Sequence, residues 1–220
     1  MKSGLGQDMV SVLIEQYTGR IPLLEELRRG LEREAIEALS GVPHIDRVSF
    51  RVKEAKSFVS KARDQNNSPE YSDPLVEIED QVAGRIIVFF LTDLEIVRQR
   101  IAATFNTVER VERRPQRDAE FGYESDHLIC LIPPHLQPVG WNARKDVPTT
   151  FELQIRTLFM HAYAEPQHDL AYKAAKELPR EVRKELAWIA ASSWGADHAY
   201  ERVRRWHSAN GQSGPGPGVS

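Results

Sequence analysis

Arg51 and Lys53 stand two apart in DRVSFRVK, and Ser57 and Lys61 stand four apart just after it. Those intervals put side chains on one face of a strand and one face of a helix. Together the four could line a polyphosphate pocket, with the arginine also able to stack on a base. A solvated charged edge would show the same spacing. Glu79-Asp80 lies just before an apolar run and is followed by Arg85. A carboxylate at the mouth of a central strand can hold Mg²⁺ against phosphates, or can simply pair with Arg85. Glu152, Gln154 and Arg156 alternate with Phe151, Leu153 and Ile155, so the polar three share a face that lines solvent or a cleft. With Asp80, Glu152 gives the two separated carboxylates that a metal-dependent transfer needs.

Two further groups carry open readings. In Phe121-Gly122-Tyr123-Glu124-Ser125-Asp126-His127, an extended chain puts Tyr123, Ser125 and His127 on one face. Tyr123 could stack on a base, and Gly122 allows an unusual backbone angle. A buried tyrosine and a hydrogen-bonded core histidine fit equally. His161, Glu165, His168 and Tyr172 fall in one helical stripe. The two histidines and the glutamate could bind zinc, but a polar stripe over a cleft floor suits the order of residues better.

These side chains need a scaffold, and hydrophobic periodicity predicts it. Residues 1–40 read as helix, with Leu23, Leu24, Leu27, Leu31, Ile36 and Leu39 at helical intervals. Gly41-Val42-Pro43 ends it. Residues 46–53 alternate as a strand, 54–63 form a short helix and 64–74 a loop. RIIVFF, 85–90, is apolar on both faces and reads as a central strand. A helix over 92–104 starts at a Thr92 cap. Strands follow at 105–112, 125–132 and 151–156, with a proline-rich loop at 133–148. Helices are expected over 157–177, 179–193 and 195–207, with Pro166 kinking or restarting the first.

The whole is an α/β (α+β) domain with a sheet of about five strands. It spans 1–207, with a core of about 40–177 and C-terminal helices over 179–207. GQSGPGPGVS, within 208–220, has the composition of a disordered tail. Formal net charge is −3, which argues against coating nucleic acid by bulk charge. The single Cys130 excludes an intramolecular disulfide and a cysteine-rich zinc module. The start lacks a signal-peptide layout and no run approaches a membrane span, so no membrane partner and a cytoplasmic location are expected. Mean hydropathy is −0.46, as in a soluble globular protein.

The groups are individually weak, but their order is specific. Arg51-Val-Lys-x3-Ser57-x3-Lys61, Glu79-Asp80-x4-Arg85-Ile-Ile, Gly122-Tyr-x-Ser-x-His127, Glu152-Leu-Gln-Ile-Arg-Thr157 and His161-Ala-Tyr-Ala-Glu165-x2-His-Asp-Leu-x-Tyr-Lys173 follow one another in this order. Over about residues 20–205 the chain resembles the RelA/SpoT-type alarmone synthetase domain. The length leaves no room for a hydrolase domain or ribosome-binding regions, so the resemblance is to a stand-alone small alarmone synthetase. It implies a nucleotidyltransferase-like mixed five-stranded sheet flanked by helices. It also implies Mg²⁺-dependent transfer of the β,γ-pyrophosphate of ATP to the ribose 3′-hydroxyl of GDP or GTP, making (p)ppGpp. On the same resemblance Arg51 and Arg85 bracket the adenine, and Lys53, Ser57 and Lys61 hold the ATP phosphates. Asp80 binds Mg²⁺, and Glu152 is a second ligand or the base that polarises the hydroxyl. Tyr123 stacks on the acceptor base, and Ser125, His127, Gln154, Arg156, His161 and Lys173 line the acceptor side.

Three features depart from the family pattern: Asp126, ERRPQRDAEF before Gly122, and Pro166. Some similar stand-alone relatives are toxins, which implies an antitoxin partner. Some make adenosine alarmones and others pyrophosphorylate the 3′ end of tRNA. Arg110, Arg113, Arg114 and Arg117 could meet a tRNA end, or form a solvated basic loop. A non-catalytic nucleotide-sensing module is a further alternative, although a mere binder has no need for both Asp80 and Glu152. In the last helices Trp188, Ile189, Trp194, Tyr200, Val203 and Trp206 suit a homo-oligomer interface, or pack back onto the same chain.

Overall fold

Strand β1 (Ile45–Val52), β2 (Val82–Val88), β3 (Thr107–Arg113), β4 (Ser125–Leu131) and β5 (Thr150–Thr157) form one mixed sheet, in the order β1-β2-β5-β4-β3. The computed structural model describes residues 7–63, 71–113, 125–172 and 178–210. The central β2 and β5 are parallel, and every other neighbouring pair is antiparallel. A parallel pair cannot be joined by a tight hairpin. Helix α4 (Leu91–Thr104), β3 and β4 supply the crossover between them.

Register sorts the side chains into two faces. Phe50 stands opposite Gly84, Gly84 beside Leu153, and Leu153 opposite Leu128. This face carries the core, with Ile86, Phe151, Ile155 and Cys130. Helix α1 (Gln7–Ala38) covers it with Leu24, Leu27 and Leu31, and α4 covers it with Leu94, Val97 and Ile101. Burying each such side chain contributes about 1.5–3 kcal/mol. Gly84 is required here. A Cβ on it would stand 2.5 Å from both Leu153 and Phe50.

The opposite face carries Arg51, Ala83, Arg85, His127, Glu152, Gln154 and Arg156, by the same registers. Helix α2 (Ala55–Arg63) and the single turn α3 (Pro74–Glu77) flank the start of β2. Helix α5 (Leu158–Tyr172) leaves the end of β5, and α6 (Arg180–Asn210) packs on α5 and α4. Thr157 makes the corner. Its hydroxyl donates to Asp197 of α6 at 2.7 Å and accepts the Met160 N–H at 3.1 Å. Thr92 donates to Glu201 at 3.2 Å, and Arg204 donates to buried Asp93 at 2.9 Å, so α6 is tied to α4 by polar pairs.

Several expectations shift. The central strand covers Val82–Val88 rather than 85–90, because Phe89 and Phe90 turn the chain into α4. Residue Phe90, not Thr92, stands at the cap of α4, and Asp93 accepts its N–H at 3.3 Å. The helices expected over 179–193 and 195–207 are one helix that runs through Gly195 to Asn210, past the expected start of the tail at 208. Residues 211–220 lie outside the described residues. Helix α5 continues through Pro166. Ile36, expected among the core positions of α1, is exposed.

Candidate active site

The polar face of the sheet begins where β1 and β2 meet α2. Lys53 follows β1 directly, and its N–H donates to the Gln81 carbonyl at 2.9 Å. Asp80 lies in the short 3₁₀ turn Glu79–Gln81 that feeds β2. Its carboxylate takes Lys53 Nζ at 2.5 Å and Lys61 Nζ at 3.0 Å, one lysine to each oxygen. Lys61 reaches it from α2, whose Phe58 and Val59 are buried and turn the basic side toward the sheet. Burial works against the Lys61 ammonium. Asp80, Tyr71 and Glu152 more than offset this and hold its pKa above the ordinary lysine value.

Behind this cluster α1 braces both partners from the core side. The Tyr17 hydroxyl donates to the Lys53 carbonyl at 2.8 Å, and the Tyr17 ring stacks on Phe58 at 4.0 Å. Burial pushes the Tyr17 phenol well above its usual pKa, so it stays a donor. Arg20 is 2% exposed. It donates to the Leu75 carbonyl at 3.1 Å, to Gln81 Oε1 at 3.3 Å and to the Asp146 carbonyl. Gln81 in turn donates to the Leu75 and Ile78 carbonyls at 2.9 Å. The turn that carries Asp80 is thus fixed by a buried arginine held largely by backbone oxygens. Sequence reasoning missed Tyr17, Arg20 and Gln81. A polar pair three apart inside the leucine stripe of α1 was the available signal.

Glu152 comes next along the face. Its Cα pairs with Ala83, three residues after Asp80. His127 Nδ1 stands 2.7 Å from Glu152 Oε1, and Gln154 Nε2 donates to the same oxygen at 2.5 Å. Glu152 is 9% exposed. Burial alone would raise its pKa. His127, Gln154 and the Lys61 charge overcome burial and hold the carboxyl at about 2. The polar side of β5 is therefore largely withdrawn from open solvent, with Glu152 and Arg156 both buried.

The track continues to the other end of the strand. Arg156 donates to Gln154 Oε1. Glu165 of α5 then meets Arg85 at 2.7 Å, Arg156 at 3.7 Å and His161 at 3.8 Å. Burial first, then the charges of Arg85 and Arg156, hold His161 below the ordinary histidine pKa, and Glu165 works the other way. Within the α5 stripe read as a possible zinc site, Glu165 is thus engaged with two arginines. Among the described residues no group of three His, Cys, Asp or Glu is arranged to hold a metal by itself.

The donor set does suit a cation that is shared with a ligand. Mg²⁺ is commonly held by one or two carboxylates together with phosphate oxygens and water. Asp80 and Glu152 offer hard oxygen donors on adjoining elements. Glu79 beside them is pushed up by burial and then by Glu109, while Lys61 works the other way.

The structure thus joins Lys53, Lys61, Asp80, Glu152, His127, Gln154, Arg156, His161 and Arg85 in one track. Arg51 lies on the same face but exposed at the edge strand, and Ser57 is exposed one turn before Lys61 on α2. Ser125 opens β4. Tyr123 and Lys173 lie outside the described residues, as do Arg114 and Arg117. One suspected departure, Asp126, has a structural explanation. Asp126 pairs with Arg98 of α4 at 2.8 Å and with Arg110 of β3 at 3.1 Å, on the face away from the track. Arg110 is therefore engaged within the sheet.

A mixed sheet with lysines, arginines and paired carboxylates along one face is the layout of a protein that handles polyphosphates. The family model described as the region found in RelA / SpoT proteins matches residues 50–177. The GTP pyrophosphokinase YjbM of Bacillus subtilis is 34% identical over 165 residues, covering 73% of this chain and 72% of that protein. The crystal structure of the small alarmone synthetase 1 from Bacillus subtilis superposes with a TM-score of 0.66 at 27% identity, over 92% of this chain and 100% of that one. The same enzyme bound to its product pppGpp gives 0.64 at 28% identity, over 86% and 92%. This chain belongs to the RelA/SpoT family, and its five-stranded sheet with flanking helices is the small alarmone synthetase fold.

Proposed function

We propose that this chain is a GTP pyrophosphokinase, which transfers the β,γ-pyrophosphate of ATP to the ribose 3′-hydroxyl of GDP or GTP and so makes (p)ppGpp. The observation that carries this reading is the polar face of the sheet, on which the Lys53–Lys61–Asp80 cluster stands at the start of β2 and a chain of contacts runs from Glu152 through Gln154, Arg156 and Glu165 to Arg85. It supports the reading because transfer of this kind needs positioning and charge neutralisation more than covalent chemistry.

The ATP phosphates lie at Lys53 and Lys61, within reach of Ser57, and the adenine lies between Arg51 and Arg85. Both lysines exchange their bonds to Asp80 for phosphate oxygens. Asp80 and Glu152 would hold Mg²⁺, which neutralises charge on the phosphates during transfer. Glu152, with its pKa at about 2, remains a carboxylate at neutral pH. It acts as a ligand, or as the acceptor that polarises the 3′-hydroxyl, whose proton passes to water as the new O–P bond forms and AMP leaves. His127 and Gln154 fix its orientation. The acceptor nucleotide lies toward Arg156 and His161, and the family resemblance adds Tyr123, Ser125 and Lys173.

An acceptor panel tests this. Purified protein, Mg²⁺ and γ-labelled ATP are offered GDP, GTP, GMP, adenine nucleotides and bulk tRNA. Label on GDP or GTP is the expected result. Label on tRNA or adenine nucleotides alone would replace the reading with a toxin-type one, and no transfer would leave a nucleotide-sensing module.

A second copy of the chain fits α6. Trp188, Val203 and Trp206 are 70%, 62% and 66% exposed there, so they do not pack back onto the described residues. No helix among the described residues is long and apolar enough to cross a membrane. A cytoplasmic location goes with ATP and GTP as substrates.

A further inference from the structure

Glu165 is unused in the mechanism above, yet it is the only described carboxylate placed among Arg85, Arg156 and His161 by ion-pair distances. Arg85 sits on β2 and Arg156 on β5, and both point to the same side of the sheet. The Cα of Arg85 pairs with Gln154, so Arg156 lies one side-chain repeat further along that face. Two guanidinium groups this near each other repel, and each has several rotatable bonds. A single oxygen, Glu165 Oε1, stands 2.7 Å from Arg85 and 3.7 Å from Arg156. It comes from a third element whose start is pinned by the Thr157–Asp197 bond. His161 is one turn earlier on α5 and completes the cluster at 3.8 Å.

We propose that Glu165 is a positioning residue that sets the side chains of Arg85 and Arg156 relative to each other. It thereby couples the donor-base side of the site to the acceptor side. The inference rests on the roles given to Arg85 and Arg156 under the proposed function. Glu165 touches neither transferred atoms nor metal in this account. Its oxygen acts through the arginines, fixing one guanidinium for stacking on the donor base and the other for the acceptor. The carboxylate is 49% exposed, so removing its charge leaves no buried void and should spare the fold.

The test compares Glu165→Gln, Glu165→Asp and the parent protein. Equilibrium affinity for α,β-methylene-ATP is measured by calorimetry, with and without GDP, and steady-state KM and kcat are measured beside it. Thermal melting monitors the fold. Glu165→Gln should weaken analogue binding by roughly 5- to 10-fold, as befits a partly exposed charge-assisted bond. It should raise both KM values, remove any tightening of one nucleotide by the other, and leave kcat within about threefold. Glu165→Asp should recover part of the affinity. Unchanged analogue affinity with a lowered melting point would make Glu165 a structural residue and overturn the proposal. A collapse of kcat with unchanged affinity would make it a reacting group and overturn it as well. Failure of the proposed function shows separately, as absence of transfer by the parent protein, because the analogue affinity needs no turnover.

Discussion

Asp80 spends both of its oxygens on lysines, at 2.5 Å and 3.0 Å, and sits three residues before the strand position paired with Glu152. Asp80→Asn should therefore lower transfer by at least about a hundredfold, since it removes a charge-bearing ligand and the counter-ion of both lysines. Rates with saturating Mg²⁺ and ATP would check this, and near-normal turnover would refute the assignment. His161 makes a pH prediction. Its folded pKa lies below the ordinary 6.5, so the unfolded chain takes up the proton first as pH falls. Stability is undiminished above about pH 6.5 and declines below it, toward the lower folded value. Urea midpoints between about pH 7.5 and 5.5 should show that decline, and His161→Gln should flatten it. At this scale the sequence was most legible where residue type and period coincided. Glu152, Gln154 and Arg156 were readable from alternation alone. Arg20 was not, because its partners are backbone carbonyls at Leu75 and Asp146, which no side-chain pattern announces.

Among the elements, the β2–β5 pair decides whether the site exists, and Gly84 lets its core face close against Phe50. Gly84→Ala should destabilise the fold by about 1–3 kcal/mol through overpacking, read as a lower urea midpoint with an unchanged slope. An unaltered midpoint would mean that the two side chains yield easily. Arg20→Met keeps much of the volume but strands the carbonyls of Leu75 and Asp146 and the Gln81 amide. A loss of about 2–4 kcal/mol is expected, together with weaker transfer, because Gln81 adjoins Asp80. Equal stability in the variant would remove the brace from the account. The strands and α1 were readable because their apolar periods are sustained. The continuity of α6 was not. A break was expected between 193 and 195, yet a Cβ at Gly195 would meet nothing within 4 Å, and Asp197 and Glu201 anchor the helix beyond it through Thr157 and Thr92. Tertiary partners settled what local propensity left open.

For the whole molecule, one face of the sheet makes the core with α1 and α4, and the other carries the polar track. That division follows from register: a slip of one residue in β5 would send Glu152 into the core. The exposed tryptophans of α6 predict self-association. Light scattering on the parent chain should give a mass above 25.1 kDa, and Trp188→Glu with Trp206→Glu should return it toward that value. A monomeric parent would contradict the interface. Family membership was readable from the order of motifs, because the described residues of the motifs, Lys53, Lys61, Asp80, His127, Glu152 and Glu165 among them, lie along the polar side of the sheet, while the acceptor pocket was less so. The central claim is that this face transfers pyrophosphate to a guanine nucleotide through Asp80 and Glu152. The most direct measurement is phosphorus NMR of the product made from ATP and GDP by the parent chain and by Glu152→Gln. The account predicts a 3′-pyrophosphorylated guanosine nucleotide from the parent and almost none from the variant, with both folded. The same product at the same rate from Glu152→Gln, or none from the parent, would contradict it.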